Sequence, residues 1–361
     1  MRLAIRALTV CVAFFAVSSC SSEKQPTAPT STTAPPATTT ATGTATAPTA
    51  TPTPTAPTTT TLSGRVTATT TGQALTGAAV SISGYAPAQI DANGSFSLTL
   101  PSQSRTYQVG ILGDRVYPRI VNVAVNSTRS VSIDAIPLGA GFDPAFYGQF
   151  IRNSYDGDGQ RSLRRWTTNP SIYLRTVDQA GKTVGASTLS AIESAFTALA
   201  PAWTGGKIRI AAFERGTGDR YGQAGWITVR FTSASNLTYC GQAQIAVDGG
   251  WIEYNLGGLQ SGYTCRVCPS ESAVDYSTIR HELGHALGFY HTDGRADVMY
   301  SGGSWNYCNM QPSSRELYHA AIAYSRPVGN TAPDTDPSSA LATVPGDLSQ
   351  ATVSCPLTPT P

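Results

Sequence analysis

The stretch His281-Glu282-Leu283-Gly284-His285-Ala286-Leu287-Gly288-Phe289-Tyr290-His291 constrains this chain more than any other. Residues four apart on a helix lie one above the other, so His281 and His285 share a face. Two imidazoles so placed can reach one metal ion at about 2.0–2.1 Å. Glu282 points roughly 100° around the helix. It is therefore poorly placed as a ligand and well placed to act on a water beside the metal. Gly288 can take a positive φ, end the helix and turn the chain back, which brings His291 to the same ion from a separate segment. Three neutral imidazoles leave a fourth position for water, the arrangement of a catalytic zinc and not of a structural one. The chain has four histidines, and the fourth, His319, reads as an ordinary helix residue.

The pattern H-E-x-x-H-x-x-G-x-x-H resembles the signature of metzincin zinc peptidases at every fixed position. That family has a methionine turn below the metal, and Met299 follows His291 by eight residues. This spacing and the run Asp297-Val298-Met299-Tyr300 look most like the matrixin branch, with two departures: Thr292 stands where matrixins usually have Ser, and Ser301 where they usually have Pro. Tyr300 follows the methionine by one residue. Astacin-like and serralysin-like relatives place a zinc-binding tyrosine two residues after it, so that role is not carried over. The resemblance implies an α+β catalytic domain, a twisted mixed sheet plus helices, with one catalytic Zn2+ on His281, His285 and His291. It implies hydrolysis of peptide bonds by a zinc-bound water with Glu282 as general base. It also implies an antiparallel edge strand upstream of the zinc helix that takes up an extended polypeptide by β-addition; residues 243–255 are where that edge is expected.

At the N-terminus Arg2 and Arg6 precede an apolar run, Leu8 to Val17, too short to span a bilayer. Val17-Ser18-Ser19-Cys20 resembles the lipobox of bacterial lipoproteins. The resemblance implies a signal peptide over residues 1–19, cleavage before Cys20, lipidation of its thiol and a lipid-anchored place in the cell envelope, at the outer membrane or cell surface. The rival is an ordinary secretory signal with a coincidental cysteine. Residues 20–61 are dominated by Thr, Ala and Pro and read as a disordered tether. A formal net charge of +2 without a basic block gives no footprint for nucleic acid. The expected partners are polypeptide substrates and, through the lipid, a membrane; the expected state is a monomer.

Residues 62–138 show alternating strands, as in Phe96-Ser97-Leu98-Thr99-Leu100, with Asn93-Gly94 as a hairpin-turn signal. A small all-β sandwich of six or seven strands is expected. Leu62-Ser63-Gly64-Arg65-Val66, Gly77 to Ile82 and Asp91 to Phe96 resemble carboxypeptidase regulatory-like domains, which implies a prealbumin-like sandwich.

Residues 140–327 have the length of the zinc peptidase domain. Phe142, Phe146 and Phe150 are four apart and read as one packed helix face, with Asp143-Pro144 as the helix start; Ser187, as N-cap, to Trp203 forms another helix with Pro201 marking its end, and the zinc helix begins near Asp275 or Ser277. Strands are expected at 172–174, 208–210, 227–231, 243–247 and 251–254. Trp305 and Tyr307 are placed to shape the specificity pocket. Residues 328–361 read as a flexible tail.

Cys240, Cys265, Cys268 and Cys308 flank this region and can form two disulfides in an oxidising compartment, with the pairing left open, and Cys355 is odd. Asp156-Gly157-Asp158-Gly159 resembles the start of a calcium loop, but Thr167 stands where a closing Glu is needed. A turn is the preferred reading and a structural Ca2+ is unsupported. Two other functions remain open: a non-catalytic surface binding or adhesion protein, and a zinc hydrolase of cell-wall peptides.

Overall fold

The computed structural model describes residues 59–157, 159–257, 259, 265, 272–301 and 310–342. The signal, Cys20, most of the tether, Cys268, Cys308, Cys355, Trp305 and Tyr307 lie outside the described residues. The fold is α+β, an all-β sandwich followed by a mixed sheet with helices.

Seven strands build the sandwich: β1 (Thr59–Ala68), β2 (Ala79–Ile82), β3 (Ala88–Gln89), β4 (Ser95–Pro101), β5 (Arg105–Leu112), β6 (Arg119–Val125) and β7 (Arg129–Ala135). One sheet runs β4-β1-β7 and the other β3-β2-β5-β6. Inward residues at every second position, such as Val66, Leu98, Val109, Val123 and Val131, are buried between them. Each such side chain contributes about 1.5–3 kcal/mol. Strand β1 starts at Thr59, so Thr59–Thr61, read from composition as tether, pair with β4. Asn93-Gly94 does make a turn, with Gly94 at φ +79°. The strands it joins lie in different sheets, however, so it is a corner and not a hairpin.

The second part begins with helix α1 (Pro144–Arg152). Asp143 caps it, its Oδ1 accepting from the N–H groups of Ala145 and Phe146 at 2.9 and 3.1 Å. Then come β8 (Ser171–Arg175), α2 (Ala186–Trp203), β9 (Phe213–Gly216), β10 (Trp226–Thr232), β11 (Gly241–Ala243), β12 (Trp251–Asn255), α3 (Tyr276–Leu287) and α4 (Ser314–Tyr324). The sheet order is β11-β12-β10-β8-β9, parallel except for β11, which closes one edge antiparallel to β12.

Several local expectations are corrected here. No strand forms at 208–210, because side chains take its amides: Thr204 Oγ1 accepts from Ile208 N at 2.9 Å and Asn169 Oδ1 from Arg209 N at 3.0 Å. The strand expected at 243–247 is instead Gly241–Ala243. Ala246 has φ +44°, and its N–H donates to His285 O at 3.2 Å, which turns the chain into the helix end. Helix α2 has Gly185, not Ser187, at its N-cap; it ends at the expected Trp203, which is fully buried, with Pro201 inside its last turn.

Residues 328–342 are not a free tail. They run alongside β6, with Ile120 N donating to Asp334 O, Asp336 N to Ile120 O and Ala342 N to Asn122 O at 2.8–2.9 Å. The strap covers an open sheet edge. Its carboxylates meet guanidinium groups from both halves of the fold. Arg119 of β6 forks onto Asp336 at 2.6 and 2.8 Å and reaches Asp334 at 3.2 Å. Arg326, after α4, binds Asp334 through Nε at 2.8–2.9 Å and also pairs with Asp134 of β7. Asn330 donates to both strap carboxylates, and Arg152 of α1 binds the carbonyl and side-chain oxygens of Asn330. Composition misled because ion pairs bury this segment, not an apolar period. Among the described residues no helix is long and apolar enough to cross a membrane.

Candidate metal centre

Helix α3 carries the first two histidines and ends where glycine allows it. Gly288 has φ +116°; its N–H donates to Gly284 O and His285 O, and Phe289 N donates to Gly284 O at 3.0 Å. That is a Schellman-type stop. A Cβ at Gly288 would also strike the Arg164 carbonyl. The remaining carbonyls of the last turn are met from three directions: Ala246 N on His285 O, Trp166 Nε1 on Ala286 O at 2.8 Å and Tyr324 Oη on Leu287 O at 2.6 Å. The helix end is therefore fixed, with no orphan acceptors in that turn.

The reversed chain brings His291 back to His281 and His285, one ligand-capable atom from each lying within 4.8 Å of the others. Two tautomers follow from hydrogen bonds. His281 Nδ1 donates to Val298 O at 2.7 Å and His285 Nδ1 to Phe289 O at 2.8 Å, which turns each Nε2 lone pair into the cluster. His285 Nε2 and His291 Nε2 are 3.1 Å apart. Ligands of a tetrahedral zinc are separated by about 3.3 Å. Burial pushes His281 down to about 4 and, with the neighbouring His281 and His291, His285 well below its ordinary value. Both are thus neutral, the form that ligates.

Glu282, adjacent to His281 in sequence, is buried, and among the described residues its Oε2 has no hydrogen-bond partner. Burial raises its pKa to about 8. A cation on the three imidazoles would favour its ionised form. Neutral nitrogen donors beside an uncompensated buried carboxylate suit a divalent metal of the zinc type. Strand β11 passes so close that a Cβ at Gly241 would lie 2.6 Å from Glu282 Oε1. Glycine at 241 is what lets the edge strand and the carboxylate share this space.

Met299 is fully buried beneath α3, and its N–H donates to Glu316 Oε1 at 3.0 Å. Thr292 Oγ1 donates to the buried Asp297 Oδ2 at 2.9 Å, which Arg315 also binds at 2.7 Å. A Cβ at Gly284 would collide with Met299 Sδ and lie 2.8 Å from the Trp203 ring. Gly284→Ala is therefore expected to destabilise the protein by about 1–3 kcal/mol through overpacking. Urea unfolding would show this, and an unchanged midpoint would argue against a packed floor.

Glu316 supplies a pH prediction. Burial lifts it from 4.5 to about 7, against hydrogen bonds from Ser313 and Met299. A raised folded-state value means stability that is complete below pH 4.5 and lost as pH rises through 7. Between pH 5 and 8 the wild type should lose about 2–3 kcal/mol more than Glu316→Gln. Parallel stability curves for the two proteins would refute this.

A cleft of about 610 Å³ opens over the centre, lined by Asp156, Tyr239, Gly241, Gln242, Ile245, Glu282 and Tyr300 among others. Cys240 and Cys265, two of the four cysteines expected to pair, form a disulfide on its wall. His319 is fully buried in α4, where Nε2 accepts from Asp143 N at 2.9 Å and Nδ1 donates to Arg315 O at 2.8 Å. It holds the start of α1 and lies outside the cluster. Asp156, read as part of a turn, also lies against His291: Nδ1 is 3.2 Å from Oδ2 and 3.4 Å from Oδ1. No local spacing announces a contact across 135 residues.

No family model and no curated protein matches the chain. Solved structures with partial similarity include an archaemetzincin from Methanopyrus kandleri, at 16% identity over 45% of this chain and 98% of that one, with a TM-score of 0.31. Metalloproteinase-II from Bacteroides fragilis is similar at 13% identity over 66% and 86%, with a TM-score of 0.29. A DUF3823 family protein from Bacteroides ovatus is similar at 21% identity over 22% of this chain and 44% of its own, with a TM-score of 0.18. The chain thus spans less than half the length of that last protein. All three TM-scores lie below 0.5.

Proposed function

We propose that this chain is a zinc-dependent metallopeptidase, and more finely a matrixin-like endopeptidase acting on extended polypeptides. The observation that carries the proposal is the convergence of three imidazoles, two with their Nε2 lone pairs fixed inward, beside a buried carboxylate whose Oε2 has no partner among the described residues. His281, His285 and His291 would hold the zinc, which would polarise the scissile carbonyl and acidify the attacking water. Glu282 takes the proton of that water and delivers it to the leaving amine. Strand β11 lies at the end of the sheet and borders the cleft, so a substrate strand added there would run past Glu282. The lipid anchor at Cys20 and a site in the cell envelope belong to the same proposal.

The test is the full chain, purified in detergent, incubated with unfolded protein and a mixed peptide library, with and without chelator. Chelator-sensitive internal cleavage, with one zinc per chain, is the expected result. Zinc binding without cleavage would redirect the search to cell-wall peptides. A chain that binds no zinc and cleaves nothing would overturn the proposal.

A further inference from the structure

The three histidines are oriented in different ways. His281 and His285 donate to backbone carbonyls, which no substitution removes. His291 faces a side chain, the carboxylate of Asp156. We propose that Asp156 is a positioning residue for the metal centre: it accepts a hydrogen bond from Nδ1–H of His291 and so fixes the ring orientation and the tautomer that presents Nε2 to the cluster. This rests on the zinc reading above and concerns how tightly the metal is held.

The placement of Asp156 is built by the fold. Helix α1 ends at Asn153 in a left-handed conformation, φ 59°, with its N–H on Gln149 O at 3.2 Å. A non-glycine residue at positive φ is uncommon outside such turns, and Asn is among those that tolerate it. Here it directs residues 154–157 toward the cleft. Four contacts dock this end of α1 onto the segment that carries His291. Tyr290 N donates to Phe150 O at 2.7 Å, Asp293 N to Gln149 Oε1 at 3.2 Å and Ser301 Oγ to Tyr155 Oη at 3.3 Å, while the rings of Phe150 and Phe289 stack at 4.6 Å. Behind them Arg152 is fixed to Asn330 of the strap. A carboxylate hydrogen-bonded to a ligating imidazole is a general device for holding ring orientation and ligand strength, and its loss typically costs about 10–100-fold in metal affinity.

The experiment measures zinc affinity of the full chain by competition with a chromophoric chelator, for wild type, Asp156→Asn and Asp156→Ala. Thermal unfolding of the metal-stripped forms runs alongside. The expected result is about a 10–100-fold weaker affinity in both variants, with metal-free melting temperatures close to wild type. Asp156→Glu should recover part of the affinity. Variants that bind zinc within twofold of wild type would overturn the role of Asp156 and leave the zinc centre standing. So would a weakened affinity matched by an equal loss of metal-free stability, which would mark Asp156 as a fold residue. A wild type that binds no zinc would overturn the metal centre and the proposal with it.

Discussion

Replacing Glu282 by Ala is expected to lower turnover by at least about 10²–10⁴-fold while the zinc content stays at the wild-type value. Among the described residues the side chain has no hydrogen-bond partner at Oε2, so that oxygen has no structural bond to lose. Its burial is itself unfavourable to the charge, as the rise to about 8 shows. Removing it should thus leave stability unchanged or slightly improved, the opposite of most core truncations. A drop in activity coupled to gain or neutrality in stability separates a chemical role from a packing role. Zinc analysis, unfolding and peptide cleavage on one preparation decide the matter. Residual activity near wild type would sink the general-base assignment, and zinc loss would move Glu282 into the ligand set.

Asp334→Ala is expected to cost about 3–5 kcal/mol, because it leaves buried charge without its counterion. The Asp334 and Arg326 side chains are both fully buried. The same carboxylate also serves Arg119 and Asn330. Burial alone would raise neighbouring Asp134, but Arg326 and Arg119 outweigh it and hold its pKa below the ordinary 3.8. With that sign the ion-pair contribution is complete above pH 3.8 and fails as pH falls through the depressed value. Urea unfolding at neutral pH tests the substitution. A double-mutant cycle with Arg326→Ala should be strongly non-additive, since the second change removes the charge the first has stranded. A cost below about 1 kcal/mol would mean that water or rearrangement neutralises the cluster.

What can be read from sequence follows the range of the interaction. The histidine cluster is legible because two members share one helix face and Gly288 sets the return of the third, all within eleven residues. Helix α1 is legible because Asp143-Pro144 caps and starts it locally. Strand positions around 208–216 and 241–247 were displaced because amides at 208, 209 and 246 are claimed by Thr204, Asn169 and His285, which periodicity does not show. Asp156 and the strap are invisible for the same reason at longer range. Their partners lie 135 and more than 200 residues away, and the contacts are polar, so no apolar pattern marks them.

The strap also sets an order in time. All seven sandwich strands are available once Ala135 has been made. Yet Arg119 waits for Asp336, 217 residues later. At about 5–20 residues per second, synthesis separates the two by roughly 10–40 s. Through that interval β6 keeps an open edge and a guanidinium without its carboxylates. The module that comes first in the chain is therefore completed last.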